Sequence, residues 1–291
     1  MRILPPIATT EIVPKTTAVA PAREAERIAT WRDILPAHRM PVVAKTPLII
    51  AVGVYLSGGS FAANGVVVTM LLAAALWGTL YSLNEATDVT VEESAIVPRH
   101  IWMTLHSLVI LLCVASTIYG VRLTLPFFGM VVSQYLYCAP PARLKRYWWG
   151  NILLSGTLNP ILRLLCGVHW GVHALSPLIY ATFFFSHLGA SLRARSLLRE
   201  RDGRLGYTTA PQGSESVGKV ATALGILGSS VIIGLGQLPP YLCVFVAIIS
   251  GYAVYTWSGS VKSVATLRRG WVWFAILSII ALIVLFARGG K

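Results

Sequence analysis

Nine apolar segments, each about as long as a membrane-spanning helix, follow one another along this sequence. They cover residues 46–63, 65–83, 101–119, 122–138, 150–168, 173–192, 217–236, 239–257 and 270–288. A helix needs roughly 20 apolar residues to cross a bilayer. Only 12% of the 291 residues are charged, whereas soluble domains carry about 25%. The sequence therefore predicts an all-α, polytopic membrane protein with nine transmembrane helices.

The basic residues predict how these segments are oriented. With a cytoplasmic N-terminus and nine spans, 20 of the 24 Lys and Arg lie on the cytoplasmic side. Only Arg122, Arg288 and Lys291 fall on the opposite side, and Arg163 lies within a span. Lys and Arg concentrate in the cytoplasmic loops of membrane proteins. We therefore expect a multi-pass protein of the bacterial inner membrane, whose net charge of +13 reflects topology rather than nucleic-acid binding.

The N-terminal region is expected to lie outside the membrane domain. Residues 1–40 are predicted to be a cytoplasmic tail, because they lack the apolar core of a signal peptide. Within this tail, residues 25–39 form either a short helix at the membrane interface, with Trp31 and Ile34 towards lipid, or part of a disordered region. Residues 41–291 are predicted to form one membrane domain.

Acidic residues gather after the second segment, although the rule for basic residues does not require them there. Asn84, Asp88 and Glu92 are spaced four residues apart. They project from nearly one face if the second helix continues beyond the bilayer. Amide and carboxylate oxygens in this arrangement suit Mg²⁺, which in turn binds a diphosphate. The alternative is an ordinary solvated helix end.

A second charged cluster follows the sixth segment. It contains five arginines, at positions 193, 195, 199, 201 and 204, together with Asp202. Arginine binds phosphate through a rigid fork of donors. In a continuous helix, Arg199 would lie one turn beyond Arg195 on the same face. The alternative is a cytoplasmic loop whose arginines contact anionic lipid.

Two further features carry charge close to the apolar segments. Tyr137, Arg143 and Lys145 follow the fourth segment, in a pattern that is common next to membranes. Arg163 lies inside the fifth segment, where a charge is costly and indicates a functional residue unless it snorkels outward. His187, a lone histidine in an apolar segment, is expected to be a packing residue.

Taken together, these residues resemble the UbiA superfamily of intramembrane prenyltransferases. The first family motif, Asn-Asp-x-x-Asp-x-x-x-Asp, is similar to the stretch from Asn84 to Glu92, in which Glu replaces Asp twice. The family's following Pro-x-Arg element is similar to Pro98-Arg99. Its Tyr-Ser-x-Pro-x-Arg-x-Lys element is similar to residues 137–145, with Cys138 in place of Ser. The resemblance extends over nearly the whole chain in order and spacing.

The second family motif is matched only in part. Asp202, Gly206 and residues 209–211 are similar to its closing Asp, Gly and Thr-x-Pro. The family has further acids at the places held here by Arg195 and Leu198, which puts a second metal in doubt. We therefore predict that arginine takes over part of the metal's role and that one Mg²⁺ remains.

The resemblance implies nine helices bundled around a central cavity, with a prenyl diphosphate and Mg²⁺ at its cytoplasmic end. Ionisation of this substrate would give an allylic cation that a hydrophobic acceptor, aromatic or quinone-type, attacks. The implied catalytic residues are Asn84, Asp88, Glu92 and Asp202, and of these Asn84, Asp88 and Asp202 would hold the metal. The implied substrate-binding residues are Arg99, Tyr137, Arg143, Lys145, Arg163, Arg195 and Arg199.

Other functions stay open at this point. Within the superfamily, the alternatives are cyclisation of a prenyl diphosphate without an acceptor and transfer of a sugar phosphate to a lipid phosphate. Outside it, the alternative is a small-solute transporter, although the predicted spans contain no acid of the kind that ion-coupled carriers use. Leu198 leaves a non-catalytic lipid-binding protein open. The expected partners are the substrates and membrane lipid, with no protein partner predicted.

Overall fold

Residues 27–35 and 40–287 are described in the computed structural model, and the predictions for the rest of the 1–40 tail lie outside them. The helices are α1 (Trp31–Ile34), α2 (Met40–Leu56), α3 (Asn64–Glu92), α4 (Arg99–Ser116), α5 (Val121–Cys138), α6 (Trp148–Val168), α7 (Pro177–Ser196), α8 (Arg199–Arg204), α9 (Ser214–Gly234), α10 (Pro240–Trp257) and α11 (Val264–Ala287). The described residues contain two isolated β-bridges and no strand, as the predicted all-α class requires.

In the described part of the chain, six helices are long and apolar enough to cross a membrane. They are α3, α4 with the turn that follows it to Tyr119, α6, α9, α10 and α11. Helix α2 contains a shorter apolar stretch, Val43–Leu56. The prediction of a multi-pass membrane protein is confirmed at this level, whereas the count of nine spans stays a prediction.

Helix α3 continues well beyond its apolar part. It has 29 residues and ends at Glu92, as the prediction for the first acidic motif required. The extension is stabilised on one face, where Ala86 and Val89 are buried in a cluster with Ile101 of α4. The opposite face of the extension is therefore left for the polar residues of the motif.

Helix α1 packs on this extension rather than on lipid. The helix in the described part of residues 25–39 spans only Trp31–Ile34. Ile34 is fully buried in the same cluster as Leu83 and Ala86 of α3. This differs from the expected interfacial helix, because the apolar face of α3 offers Ile34 a protein surface to cover.

Helices α2 and α6 cross at very close range. A Cβ atom on Gly53 of α2 would lie 2.5 Å from the Leu164 carbonyl oxygen of α6, and a Cβ on Gly167 would clash with the Ile50 carbonyl oxygen. Small residues allow such close backbone approach in membrane bundles. The crossing places the middle of α6 directly against α2.

Helix α6 contains a π-helical segment, Asn151–Leu158. The sequence marks this apolar segment as the weakest, because it holds Asn159, Pro160 and Arg163. Short π-helical segments frequently occur at functional sites. Here the segment begins with Asn151, whose side chain binds the loop that precedes the helix.

Candidate functional site

The polar face that the sequence predicts on α3 is formed. The Asn84 side chain is almost fully buried, and its Nδ2 donates to Asp88 Oδ2 at 3.2 Å. Glu92 lies one turn further along and is partly buried. Asn84 Oδ1 is buried and has no hydrogen-bond partner among the described residues. Two carboxylates and one unpaired amide oxygen therefore share this face.

Two cations from the loop between α5 and α6 cover these carboxylates. Arg143 Nη2 lies 3.7 Å from Asp88 Oδ1 and 3.2 Å from Glu92 Oε1. Lys145 Nζ forms an ion pair with Asp88 and lies 3.6 Å from Glu92 Oε1. Both cationic side chains are almost fully buried. The structure thus brings the first and third sequence motifs together.

Local contacts hold this loop in place. The Pro140-Pro141 pair follows the end of α5, because proline cannot continue a helix. Arg143 has a φ of +35°, a left-handed conformation that is uncommon outside glycine. Asn151 Nδ2 donates to the Lys145 carbonyl oxygen at 2.8 Å, and Tyr137 Oη donates to Asn151 Oδ1 at 3.1 Å. The loop is therefore anchored on both flanking helices.

Asp202 lies in a separate buried network. Its side chain is 1% exposed, and its Oδ1 lies 3.4 Å from Arg201 Nη2. Its Oδ2 lies 3.6 Å from Arg195 Nη1 and accepts a hydrogen bond from Thr209 Oγ1. Arg195 Nη2 also donates to Tyr137 Oη at 3.0 Å. The metal-ligand role of Asp202 stays a prediction, and it would require the carboxylate to give up contacts that it makes here.

The expectation that Arg195 and Arg199 share a helix face is wrong. Helix α7 ends at Ser196 and α8 begins only at Arg199. Leu197 and Leu198 form a turn between the two helices. Arg199 is exposed, and its Nη2 donates to Ser214 Oγ at 3.4 Å.

Tyr207 completes the site, although its sequence pattern does not predict it. Its hydroxyl donates to Glu92 Oε1 at 3.0 Å, and Arg143 lies over its ring at 5.6 Å. Burial and the neighbouring Glu92 raise the pKa of Tyr207, so the hydroxyl remains a donor at neutral pH. The available signal is its place directly after Gly206, next to the second motif. Tyr207 links the segment after α7 to the acidic face of α3.

The remaining predicted residues lie apart from this cluster. Arg99 is exposed at the first residue of α4. Arg163 is 2% exposed inside the bundle, where its Nη1 donates to Thr46 Oγ1 at 3.3 Å and its Nε donates to the Asn159 carbonyl oxygen at 3.2 Å. The structure does not bring either arginine to the acidic face of α3.

An open cleft lies above these charges. It has a volume of about 310 Å³ and is lined by Val91, Glu92, Arg143, Arg146, Leu205, Gly206 and Tyr207. An apolar cavity of about 220 Å³ adjoins it through Val91 and contains Trp102, His106 and Tyr135 in its walls. A polar mouth and an apolar pocket therefore lie side by side.

The donor set suits a magnesium ion only together with a phosphate ligand. Within residues 27–35 and 40–287, no group of three or more His, Cys, Asp or Glu could hold a metal. Magnesium is commonly bound by one or two carboxylates, with waters and substrate phosphates as its other ligands. Asp88, Glu92 and the unpaired Asn84 Oδ1 fit that pattern.

Comparison with known structures identifies the fold. A UbiA homologue from Archaeoglobus fulgidus bound to GPP and Mg²⁺ superimposes with a TM-score of 0.70, covering 88% of this chain and 98% of that chain at 18% identity. The chain has the UbiA fold. The same homologue bound to DMAPP and Mg²⁺ gives a TM-score of 0.68 at 18% identity, covering 88% of this chain and 99% of that chain.

A more distant UbiA-type neighbour is digeranylgeranylglyceryl phosphate synthase. It gives a TM-score of 0.59 at 15% identity and covers 89% of this chain and 98% of that chain. No protein-family model and no curated protein matches the sequence. The resemblance to the UbiA superfamily predicted from the motifs is therefore confirmed at the level of the fold.

Proposed function

We propose that this chain is an Mg²⁺-dependent intramembrane prenyltransferase that moves a prenyl group from a prenyl diphosphate to a hydrophobic acceptor. The observation that carries the proposal is the state of Arg143. Its Nε and Nη1 are buried and have no hydrogen-bond partner among the described residues. Unpaired buried donors on a cation are costly unless a ligand supplies acceptors. Diphosphate oxygens in the adjoining cleft are such acceptors.

Two cations from the α5–α6 loop and one from the last turn of α7 would bind the diphosphate. Arg143 lines the cleft over α3, and Lys145 pairs with the same acids of α3. Arg195 is linked to this region by its hydrogen bond to Tyr137. Arginine donors bind phosphate oxygens in bidentate geometry. As the bond to the prenyl carbon breaks, these buried charges stabilise the negative charge that develops on the departing diphosphate. The adjoining apolar cavity offers space for the prenyl chain.

Asn84, Asp88 and Glu92 are the residues that would hold Mg²⁺. When bound, the ion supplies further neutralisation of the leaving diphosphate. In its absence, Arg143 and Lys145 occupy the same carboxylates. Binding of the metal and the diphosphate together therefore exchanges partners without leaving a buried charge unpaired.

Asp202 would act as a positioning residue in this scheme. Asp202 forms an ion pair with Arg195, and Tyr137 accepts a hydrogen bond from the same guanidinium, so both contacts orient Arg195. This arrangement supports a diphosphate site with arginine where the resembled family has a further acid. The solved A. fulgidus neighbours are bound to GPP or DMAPP with Mg²⁺, which supports the same substrate class for this chain.

The proposal is tested with purified protein in detergent or liposomes. Prenyl diphosphates of several chain lengths are incubated with Mg²⁺, with and without an extract of membrane lipids, and released diphosphate and lipid products are measured. We expect Mg²⁺-dependent release that increases with an aromatic or quinone-type acceptor. Release without any acceptor, with a cyclic product, would instead identify a cyclase. An absence of both binding and release for every chain length would overturn the enzymatic function.

A further inference from the structure

The Tyr207 side chain reaches from the segment after α8 to the last residue of α3. Its hydroxyl donates to Glu92 Oε1 at 3.0 Å, and the residue lines the open cleft beside this carboxylate. Mg²⁺ prefers carboxylate, water and phosphate oxygens as ligands, whereas a hydrogen bond to a carboxylate ligand orients that ligand. Tyr207 therefore contacts a residue that would hold the metal, without competing for the metal itself.

The backbone on both sides of Tyr207 is fixed. The Tyr207 N–H donates to the Asp202 carbonyl oxygen at 2.8 Å, and the Thr208 N–H donates to the Arg146 carbonyl oxygen at 2.8 Å. Gly206 has a φ of +72°, which glycine adopts at little cost, so the chain turns directly before the tyrosine. The position of the Tyr207 hydroxyl is therefore determined by two loops and not by Glu92 alone.

The same segment carries Asp202, whose own carboxylate is occupied elsewhere. That carboxylate contacts Arg195 and Arg201 and accepts a hydrogen bond from Thr209. Its backbone carbonyl, in contrast, anchors Tyr207. The segment after α8 thus reaches the acidic face of α3 through a neutral hydroxyl, while its buried carboxylate stays in its separate network.

Glu92 is a ligand that benefits from an orienting contact. It is the last residue of α3, and its side chain is 17% exposed. Helix ends fray, and a glutamate has one more rotatable bond than the aspartate at Asp88. A side chain that becomes ordered only when the ion binds lowers the affinity, because its conformational entropy is lost at that moment.

The two cations on Glu92 are poorly suited to this role once a metal is present. Arg143 Nη2 and Lys145 Nζ lie 3.2 Å and 3.6 Å from the same oxygen, Glu92 Oε1. Their charges oppose a divalent ion on this carboxylate, and the proposed diphosphate supplies both cations with other acceptors. The Tyr207 hydroxyl carries no charge, so it can stay on Glu92 when metal and diphosphate are bound.

We propose that Tyr207 is a positioning residue that holds the Glu92 carboxylate ready for the metal ion of the diphosphate site. The proposal rests on the proposed prenyl transfer and adds a residue that acts on the metal through Glu92. In one alternative, Tyr207 only joins the two segments. In another, its hydroxyl turns to the diphosphate itself. The three roles differ in which affinity depends on the hydroxyl.

The test measures two affinities of the purified full-length protein in detergent, from the rise in its melting temperature. Mg²⁺ is titrated at a fixed concentration of pyrophosphate and expressed as free Mg²⁺, and pyrophosphate is titrated at saturating Mg²⁺. Tyr207→Phe removes the hydroxyl and keeps the ring beside Arg143. We expect the Mg²⁺ affinity to fall by about tenfold or more. The pyrophosphate affinity at saturating Mg²⁺ and the melting temperature without ligands should stay nearly unchanged.

Two further variants serve as controls. Tyr147→Phe makes the same change at an exposed tyrosine of the α5–α6 loop, which forms a β-bridge with Thr208, and it should bind Mg²⁺ like the unaltered protein. Glu92→Gln should itself weaken Mg²⁺ binding. Adding Tyr207→Phe to Glu92→Gln should then weaken binding very little further, because residues that act through one another have non-additive effects.

Each outcome decides between the roles. Equal Mg²⁺ affinities of Tyr207→Phe and the unaltered protein would overturn the proposal, as would a full effect of Tyr207→Phe in the Glu92→Gln background. A loss of pyrophosphate affinity at saturating Mg²⁺ would identify a contact with the diphosphate instead. If Mg²⁺ and pyrophosphate bind as expected but no prenyl group is transferred, the positioning role stands and the proposed function falls. No Mg²⁺-dependent pyrophosphate binding in the unaltered protein would overturn both.

Discussion

At the scale of single residues, the ion pairs between α3 and the α5–α6 loop determine how the site responds to change. Arg143 and Lys145 are almost fully buried, whereas the Asp88 and Glu92 side chains remain 22% and 17% exposed. When a pair is broken, the free-energy cost is larger if the more buried partner is left unpaired, because a buried charge keeps its full desolvation cost. Substitutions of these acids should therefore affect folding as well as catalysis.

Asp88→Ala should abolish turnover and also destabilise the protein. From the sequence alone, a solvated helix end predicts nearly intact stability. The structure pairs Asp88 with Lys145 instead, so we expect a loss of about 1–3 kcal/mol. The measurement is the melting temperature in detergent together with Mg²⁺-dependent diphosphate release.

The double variant Asp88→Ala/Lys145→Met separates the two effects. It should recover most of the stability, because the unpaired cation is gone, but none of the activity. Activity at the native level in Asp88→Ala would contradict the metal-site role. Stability at the native level would contradict the proposed importance of the ion pair.

At the scale of elements, the segment from α7 to α9 distinguishes one arginine from another. Arg195 is held between Asp202 and Tyr137, whereas Arg199 is exposed at the start of α8. Only the first of these positions lies next to the residues that bind the α5–α6 loop. The two arginines are therefore a matched pair for experiments, since they differ in position but not in chemistry.

Arg195→Ala should raise the KM for the prenyl diphosphate and lower kcat, with a combined effect of about tenfold or more. Arg199→Ala should leave both nearly unchanged. Arg195→Lys retains the charge that Asp202 needs but loses the guanidinium fork, so we expect normal stability with an intermediate KM. Equal effects of Arg195→Ala and Arg199→Ala would argue that both arginines contact only lipid.

A second prediction concerns the close crossing of α2 and α6. Gly167→Ala should destabilise the protein by about 1–3 kcal/mol, because the added methyl clashes with the Ile50 carbonyl oxygen. Gly251→Ala in α10 is the control, as nothing lies within 4 Å of the added atom. Both melting temperatures are measured in the same detergent, and similar values for the two variants would contradict a tight crossing.

The elements also show what local sequence information can and cannot predict. The spacing of Asn84, Asp88 and Glu92 predicts the extension of α3 correctly, because helical periodicity is a local property. The role of Tyr207 depends on its contact with Glu92, 115 residues away in the sequence, so spacing does not reveal it. Arg163 is recognisable as an unusual charge, but its partner Thr46 on α2 is revealed only where α2 and α6 cross.

At the scale of the whole molecule, three loops meet at one end of the bundle. Glu92 at the end of α3 contacts Arg143 of the α5–α6 loop and Tyr207 of the segment after α8. Thr208 donates its backbone N–H to the Arg146 carbonyl oxygen at 2.8 Å, which joins the last two. These contacts require the three segments to lie on the same side of the membrane.

Cysteine labelling tests this arrangement. In a background without the four native cysteines, Glu93→Cys, Trp149→Cys and Gly203→Cys should react with an impermeant reagent from the same side. All three positions are exposed. Val172→Cys, exposed between α6 and α7, should react from the opposite side. Labelling of any one of the first three from the side of Val172 would contradict the topology.

Helix α3 carries the buried Trp77 and the acidic face of the proposed diphosphate site on a single uninterrupted helix. About 16 Å separate Trp77 from Asp88 along the helix axis. This distance is fixed because the helix is continuous. Arg163 of α6 lies over Trp77, and the same helix begins with a π-helical segment. In the proposed enzyme, substitutions in α6 and α7 should therefore alter the selectivity for substrate length, whereas the spacing along α3 stays constant.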